Sequence, residues 1–336
     1  MSNDDSSKAP PLTLLPWQHS AWQQIQVLRQ NMPHALLFYG NPGIGKTRFI
    51  QVLAQALLCE NGRSDGLACG SCPSCTWFLE GNHPDFRCVR PERMEPEPAD
   101  DASKEIKIDQ VRLLADFMNI STHRSGLRVV VLYPAETLNL ASSNALLKTL
   151  EEPPPKTVFL LATNSIDQLL PTILSRCRKF ALGMPGQAES LAWLSAQGVR
   201  DAANWLAEQG GAPLTAFEMA QVGKRDELDF WLQFLALPSL DGALKTAEKL
   251  QKTPVPQLLA WLQRWLYDVL SCRLASTIRY YPRYQKEIAA LAARVDLGQL
   301  LAVQKSCKER AAIAEHPLAP KLFIEDMLLE YVTICR

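Results

Sequence analysis

Eight residues, Gly40-x-x-x-x-Gly45-Lys46-Thr47, narrow the folds open to this chain more than any other feature. The glycines let successive backbone N–H groups converge on phosphates, with Asn41, Pro42, Gly43 and Ile44 filling the turn. Lys46 supplies a point charge for the β/γ-phosphates, and the Thr47 hydroxyl is placed to ligate Mg²⁺. Such a loop has to leave a strand and enter a helix. The apolar run His34 to Tyr39 and the helical pattern Arg48 to Leu58 meet both conditions. The pattern predicts nucleotide binding; the competing reading is a relic loop that keeps the fold and holds no ligand.

The neighbouring segments extend the same architecture. Trp17 to Leu28 carries helical apolar spacing, Arg90 to Lys104 is a Pro, Glu and Asp rich loop, and Asp109 to Ile120 reads as an amphipathic helix. Val129 to Leu132 and Val158 to Ala162 are strand-like, with the helical stretch Ser142 to Leu150 between them. Strands alternating with helices imply an α/β domain with a mainly parallel sheet. Hydrolysis also needs an acid at the end of a neighbouring strand to hold Mg²⁺. Here that strand runs into Tyr133 and Pro134, and Glu136 stands three residues beyond the expected aspartate position. At ~3.3 Å per residue this offset is too large for simple substitution unless the backbone bends. Binding without turnover is the expectation.

Of nine cysteines, four fall within residues 59–75: Cys59, then Cys69, Cys72 and Cys75 at two-residue intervals in a Gly/Pro/Ser stretch read as a tight loop. Four thiolates at this spacing can close a tetrahedral site around Zn²⁺, and a site filled by protein ligands is structural. A redox Cys-x-x-Cys pair would not need four, and disulfides are disfavoured because the acidic, polar start of the chain does not read as a secretory signal. His83 is a further candidate ligand, a packing role being the simpler one. The stretch Gly62 to Trp77 carries one basic residue, Arg63, so a zinc-dependent nucleic-acid reader is a weaker reading.

The strand pattern stops after Phe180. Gly183-Met184-Pro185-Gly186 suits a hinge into a small helical, lid-like domain (185–226), and 227–336 is leucine-rich and helical. In the latter, Leu258, Leu259, Trp261, Leu262, Trp265, Leu266, Val269 and Leu270 crowd one broad face, the mark of a buried helix and an assembly domain. Lysine plus arginine equals aspartate plus glutamate at 35 each, so any contact with DNA has to be local. No apolar run approaches the ~20 residues of a membrane span, and a cytoplasmic protein is expected.

The segments Ser143-Asn144-Ala145-Leu146-Leu147-Lys148-Thr149-Leu150-Glu151-Glu152-Pro153-Pro154, Phe159 to Thr163 and Ser175-Arg176-Cys177 join the P-loop and the four-cysteine insert in one pattern. Together they closely resemble AAA+ clamp-loader subunits of bacterial DNA polymerase III, strongly over about 15–185 and loosely beyond. The resemblance implies an N-terminal AAA+ domain (1–184) with a zinc module at 59–75, a helical lid and an all-α collar. It implies a ring-like heteropentamer with gamma/tau and delta subunits, acting on the sliding clamp and primer-template DNA. It also gives Arg176 the place of an arginine finger completing a neighbour's ATP site, and Thr163 the sensor-1 place. His83-Pro84-Asp85, the missing acidic pair at Tyr133-Pro134 and the absence of a sensor-2 arginine from Gly210 to Thr215 look like a non-motor member. Such a member would hold ATP or ADP, with Mg²⁺ as the accompanying ion, and not hydrolyse it. The alternative is an active gamma/tau-type motor using Glu136 or another acid.

Overall fold

The computed structural model describes residues 12–119, 122, 126–223, 225–314 and 319–335. The chain divides into two compact units, Met1–Glu189 and Ser190–Arg336, the boundary falling inside a helix.

In the first unit a 3₁₀ turn, Pro16–Gln18, leads into α1 (His19–Arg29). Strand β1 (Ala35–Tyr39) is followed by α2 (Lys46–Leu58) and α3 (Pro73–Leu79). Then come β2 (Phe86–Val89), α4 (Ile108–Asn119), β3 (Arg128–Leu132), α5 (Leu140–Glu151), β4 (Thr157–Thr163), α6 (Pro171–Arg176) and β5 (Arg178–Ala181). The end of the helix expected at Ile120 lies outside the described residues.

All strand pairings are parallel, in the order β2-β3-β4-β1-β5. The alternation of side chains along a strand divides the core into two layers. Leu36, Phe38, Val129, Val131, Val158 and Leu160 face one way, with Trp22, Phe49 and Leu53 of α1 and α2. Leu37, Val130, Leu132, Phe159 and Leu161 face the other, with Leu114, Leu146 and Ile173 of α4, α5 and α6. Both faces are covered, which is why β1, β3 and β4 read as continuous apolar runs. Ligand crevices in such sheets open at the carboxyl ends of the strands, and the P-loop leaves β1 there.

The second unit is helical. Helix α7 (Gln187–Ala196) crosses the boundary, followed by α8 (Ala202–Glu208) and α9 (Pro213–Val222), whose small buried cluster is Leu194, Leu206 and Ala216. A larger core is built by α10 (Asp226–Ala236), α11 (Leu240–Leu250), α12 (Val255–Ala275), α13 (Gln285–Arg294), α14 (Leu297–Ala311) and α15 (Pro320–Cys335). The crowded face of α12 is buried in it, and two of the core's aromatic polar tips are linked in series. Trp265 Nε1 donates to Tyr331 Oη at 2.9 Å, and Tyr331 Oη donates to the Leu235 carbonyl at 2.6 Å. The carboxylate of Asp268, fully buried on α12, accepts from the backbone N–H groups of Arg279, Tyr280 and Tyr281 at 2.7–3.1 Å.

Candidate functional site

The P-loop is shaped by glycine geometry. Gly43 and Gly45 have φ of 72° and 87°, values that side-chain-bearing residues rarely adopt. Gly40 is constrained from outside the loop: a Cβ there would lie 2.3 Å from the carbonyl oxygen of Leu182, just beyond β5. Asn41 and Pro42 are exposed, Ile44 is buried beneath the turn, and Gly45 caps the N-terminus of α2. The first turn of that helix, with Lys46 and half-buried Thr47, presents N–H groups suited to an anion.

Lys46 is nearly buried, and its ammonium donates to the carbonyls of Gly40 at 2.9 Å and Asn41 at 2.6 Å. Burial brings its pKa down to about 8, opposed by the nearby negative charge of Glu136. Two side chains from the 3₁₀ turn brace the same loop. Trp17 Nε1 donates to the Ile44 carbonyl at 2.9 Å, and Gln18 Nε2 donates to the Gly45 carbonyl at 2.8 Å. Both sit 27 residues or so before their partners, and no sequence signal connects them.

Thr163 ends β4 directly opposite Tyr39, the residue before Gly40. Its hydroxyl donates to Glu136 Oε2 at 2.7 Å, and the Asn164 N–H donates to Glu136 Oε1 at 3.0 Å. The bend that the sequence would have required is present: after Tyr133 the chain makes a 3₁₀ turn, Ala135–Thr137, that returns Glu136 to the end of β4. The expected aspartate position is filled by Tyr133, a buried side chain in the apolar layer under α1 and α2. Thus Gly40 to Thr47, Thr163 and Glu136 are assembled at the carboxyl ends of the strands.

Arg176 has other neighbours. It ends α6, where Nη1 donates to the Thr172 carbonyl at 2.9 Å and to Ser175 Oγ at 3.3 Å, while Nη2 pairs with Glu151 at the end of α5. Its side chain is 31% exposed.

The four sulfurs of Cys59, Cys69, Cys72 and Cys75 lie within 4.8 Å of one another. The Cys59–Cys72 and Cys69–Cys75 separations are both 3.9 Å, far longer than a disulfide. Bonds of ~2.3 Å to a tetrahedral zinc ion require sulfur–sulfur edges of about 3.8 Å, so the donor set fits that ion. The ligand stretch differs from the expected plain loop, because Cys72 caps α3 and Cys75 lies in its first turn. The Ser71 and Cys72 N–H groups draw the Cys69 thiol down to about 6, whereas burial pushes Cys59 and Cys75 up. Four thiols in one cluster do not ionise together unaided, and a dication removes that penalty.

His83 is occupied elsewhere. Its Nδ1 accepts from the Asp85 N–H at 3.0 Å, leaving the proton on Nε2, which meets Ser74 Oγ at 2.7 Å. Ser74 Oγ in turn donates to the Leu58 carbonyl at 2.6 Å. This chain of bonds ties α3 to the end of α2 beside Cys59, and His83 is no member of the sulfur cluster.

A parallel sheet of this strand order with a P-loop after β1 and an all-helical second unit define a AAA+ fold. Two families match: one described as "DNA polymerase III, delta subunit" over residues 17–185, the other as its C-terminal part over residues 221–333. The chain belongs to the delta-prime family of DNA polymerase III subunits. It is 37% identical over 267 residues to subunit delta-prime of Pseudomonas aeruginosa, covering 78% of each chain. With subunit delta-prime of Escherichia coli K12 it shares 34% over 242 residues, 70% of each. Similarity to subunit tau of Escherichia coli K12 is confined to 149 residues, 38% identical, 44% of this chain and 21% of that one.

Proposed function

We propose that the chain is the delta-prime subunit of the replicative clamp loader, a largely non-hydrolysing AAA+ subunit that scaffolds the complex and lends Arg176 to an adjacent ATPase subunit. The observation that carries this reading is the placement of Tyr133. A buried phenol stands where a motor needs a Mg²⁺-holding carboxylate, so the cradle is intact and its hydrolytic acid is missing. Gly40 to Thr47 would hold ATP or ADP with Mg²⁺, Thr163 would face the γ-phosphate, and Cys59, Cys69, Cys72 and Cys75 would hold one structural Zn²⁺. The chain beyond residue 184 would form a lid (185–226) and a collar (227–336) that assembles with gamma/tau and delta subunits. The sliding clamp and primer-template DNA are reached through that complex. Among the described residues no helix is long and apolar enough to cross a membrane, in keeping with work in the cytoplasm.

A second reading, an active gamma/tau-type motor, is favoured by one observation: the bend that brings Glu136 beside Thr163 and within electrostatic reach of Lys46. Both readings are tested by a reconstituted loader. Arg176→Ala is expected to assemble normally and to lower DNA-stimulated ATP hydrolysis and clamp loading, since a guanidinium given in trans is worth ~10³–10⁵ where fully used. The whole-complex loss is smaller, because only one of several ATP sites borders this subunit. Arg176→Lys should rescue poorly, keeping the charge without the planar fork. Loading at the unmutated rate by Arg176→Ala defeats the finger assignment. Robust hydrolysis by the pure chain, abolished by Lys46→Ala, establishes the motor reading instead.

A further inference from the structure

We infer that Glu151 is a positioning residue for Arg176, an inference that rests on the finger reading above. Glu151 is the last residue of α5 and Arg176 the last of α6, and the two helix ends come together so that the carboxylate binds Nη2. Nη1 is held independently by the Thr172 carbonyl and Ser175 Oγ. Acceptors on two helices therefore fix the plane of the guanidinium. Its Nε–H has no acceptor among the described residues, which leaves a donor of the fork for an incoming oxygen.

The physical gain is orientation. A long, partly exposed arginine has many rotamers, and a finger that must find one of them after docking spends part of its attraction for phosphate on that ordering. Holding it beforehand moves that cost out of the catalytic step. The carboxylate is itself 49% exposed, so it orients the cation without burying it, and a triphosphate of greater charge is not displaced by it. Glu152, the next residue, makes no side-chain bond among the described residues and is the natural control.

The test is a reconstituted loader containing the full chain, read for complex formation by gel filtration and for kcat and KM of DNA-stimulated ATP hydrolysis. Glu151→Ala is expected to assemble normally, to leave the KM for ATP unchanged, and to reproduce at least a third of the kcat loss caused by Arg176→Ala. Hydrolysis at the receiving site falls about three- to ten-fold. Glu151→Gln, which keeps an acceptor oxygen, recovers part of the rate, and Glu152→Gln matches the unmutated loader. The double variant Glu151→Ala with Arg176→Ala is no slower than Arg176→Ala alone, because the two act through one group. If Arg176→Ala slows the loader while Glu151→Ala and Glu151→Gln do not, the positioning role is wrong and the finger stands. A faster Glu151→Ala loader overturns it as well, since the carboxylate would then be withholding the arginine. If Arg176→Ala has no effect, the finger reading fails and this inference falls with it. A failure of Glu151→Ala to assemble leaves the isosteric Glu151→Gln to decide.

Discussion

The hydroxyl of Thr163 and the carboxylate of Glu136 are joined at 2.7 Å across two loops that the sequence separates by 27 residues. The second carboxylate oxygen takes the Asn164 N–H, so the acid whose charge reaches Lys46 is anchored by both oxygens. Replacing Glu136 by Ala removes two charge-assisted hydrogen bonds, and we expect a loss of about 1–3 kcal/mol in urea unfolding with nucleotide affinity little changed. Phosphate release by the purified chain should stay at background with or without Glu136. Turnover that Glu136→Gln abolishes would overturn this.

Lys46 should make nucleotide binding sensitive to pH. Burial lowers its pKa in the free chain to about 8, and a bound phosphate raises it by favouring the charged form. Affinity should accordingly be constant well below pH 8 and decline as pH rises through 8, with proton uptake on binding. Lys46→Arg, charged throughout, should flatten the profile. Calorimetry at pH 7 and pH 9 in buffers of different ionisation enthalpy measures both effects; an unchanged affinity at pH 9 would exclude a titrating Lys46.

The sulfur cluster should carry one zinc per chain that resists brief chelation. Cys72→Ser with Cys75→Ser should release it and expose the segment to protease, because the metal supplies much of the folding free energy of so small an insert. Metal analysis and limited proteolysis check the two consequences. Full zinc retention by the double variant would rule out this ligand set.

Asp268 should be among the costliest substitutions in the helical unit. In Asp268→Ala the three N–H groups of Arg279, Tyr280 and Tyr281 lose their acceptor. At about 1–3 kcal/mol for each buried unsatisfied donor, a loss of roughly 3 kcal/mol or more is expected by denaturant titration. A change under about 1 kcal/mol would mean that water or a rearranged loop satisfies them.

What was legible in the sequence follows from how local each signal is. Strands β1, β3 and β4 are buried on both faces and announce themselves as apolar runs. Strand β2 lies at the sheet edge as Phe86-Arg87-Cys88-Val89, with Arg87 and Cys88 exposed, and lacks such a run. Helix α3 was hidden because Cys72-Pro73-Ser74 has the composition of a turn, although proline in a first helical turn and a sulfur accepting the Cys75 N–H start a helix well. The offset of Glu136 is large only along a straight strand, and the bend that removes it is a single 3₁₀ turn whose presence the residues Pro134 to Thr137 do not announce. Trp17, Gln18 and the Glu151–Arg176 pair are products of tertiary packing, and no periodicity or spacing encodes them.

The close approach of Leu182 to Gly40 bears on how sequences of this family drift through time. A side chain at Gly40 would strike the backbone leaving β5 whether or not a nucleotide ever occupied the loop. Lys46 likewise staples two carbonyls of its own turn. A lineage that abandoned nucleotide would therefore shed its first glycine slowly, under pressure from the fold alone. Thr47 makes no such internal bond among the described residues, and its replacement would be the earlier record of a lost ligand.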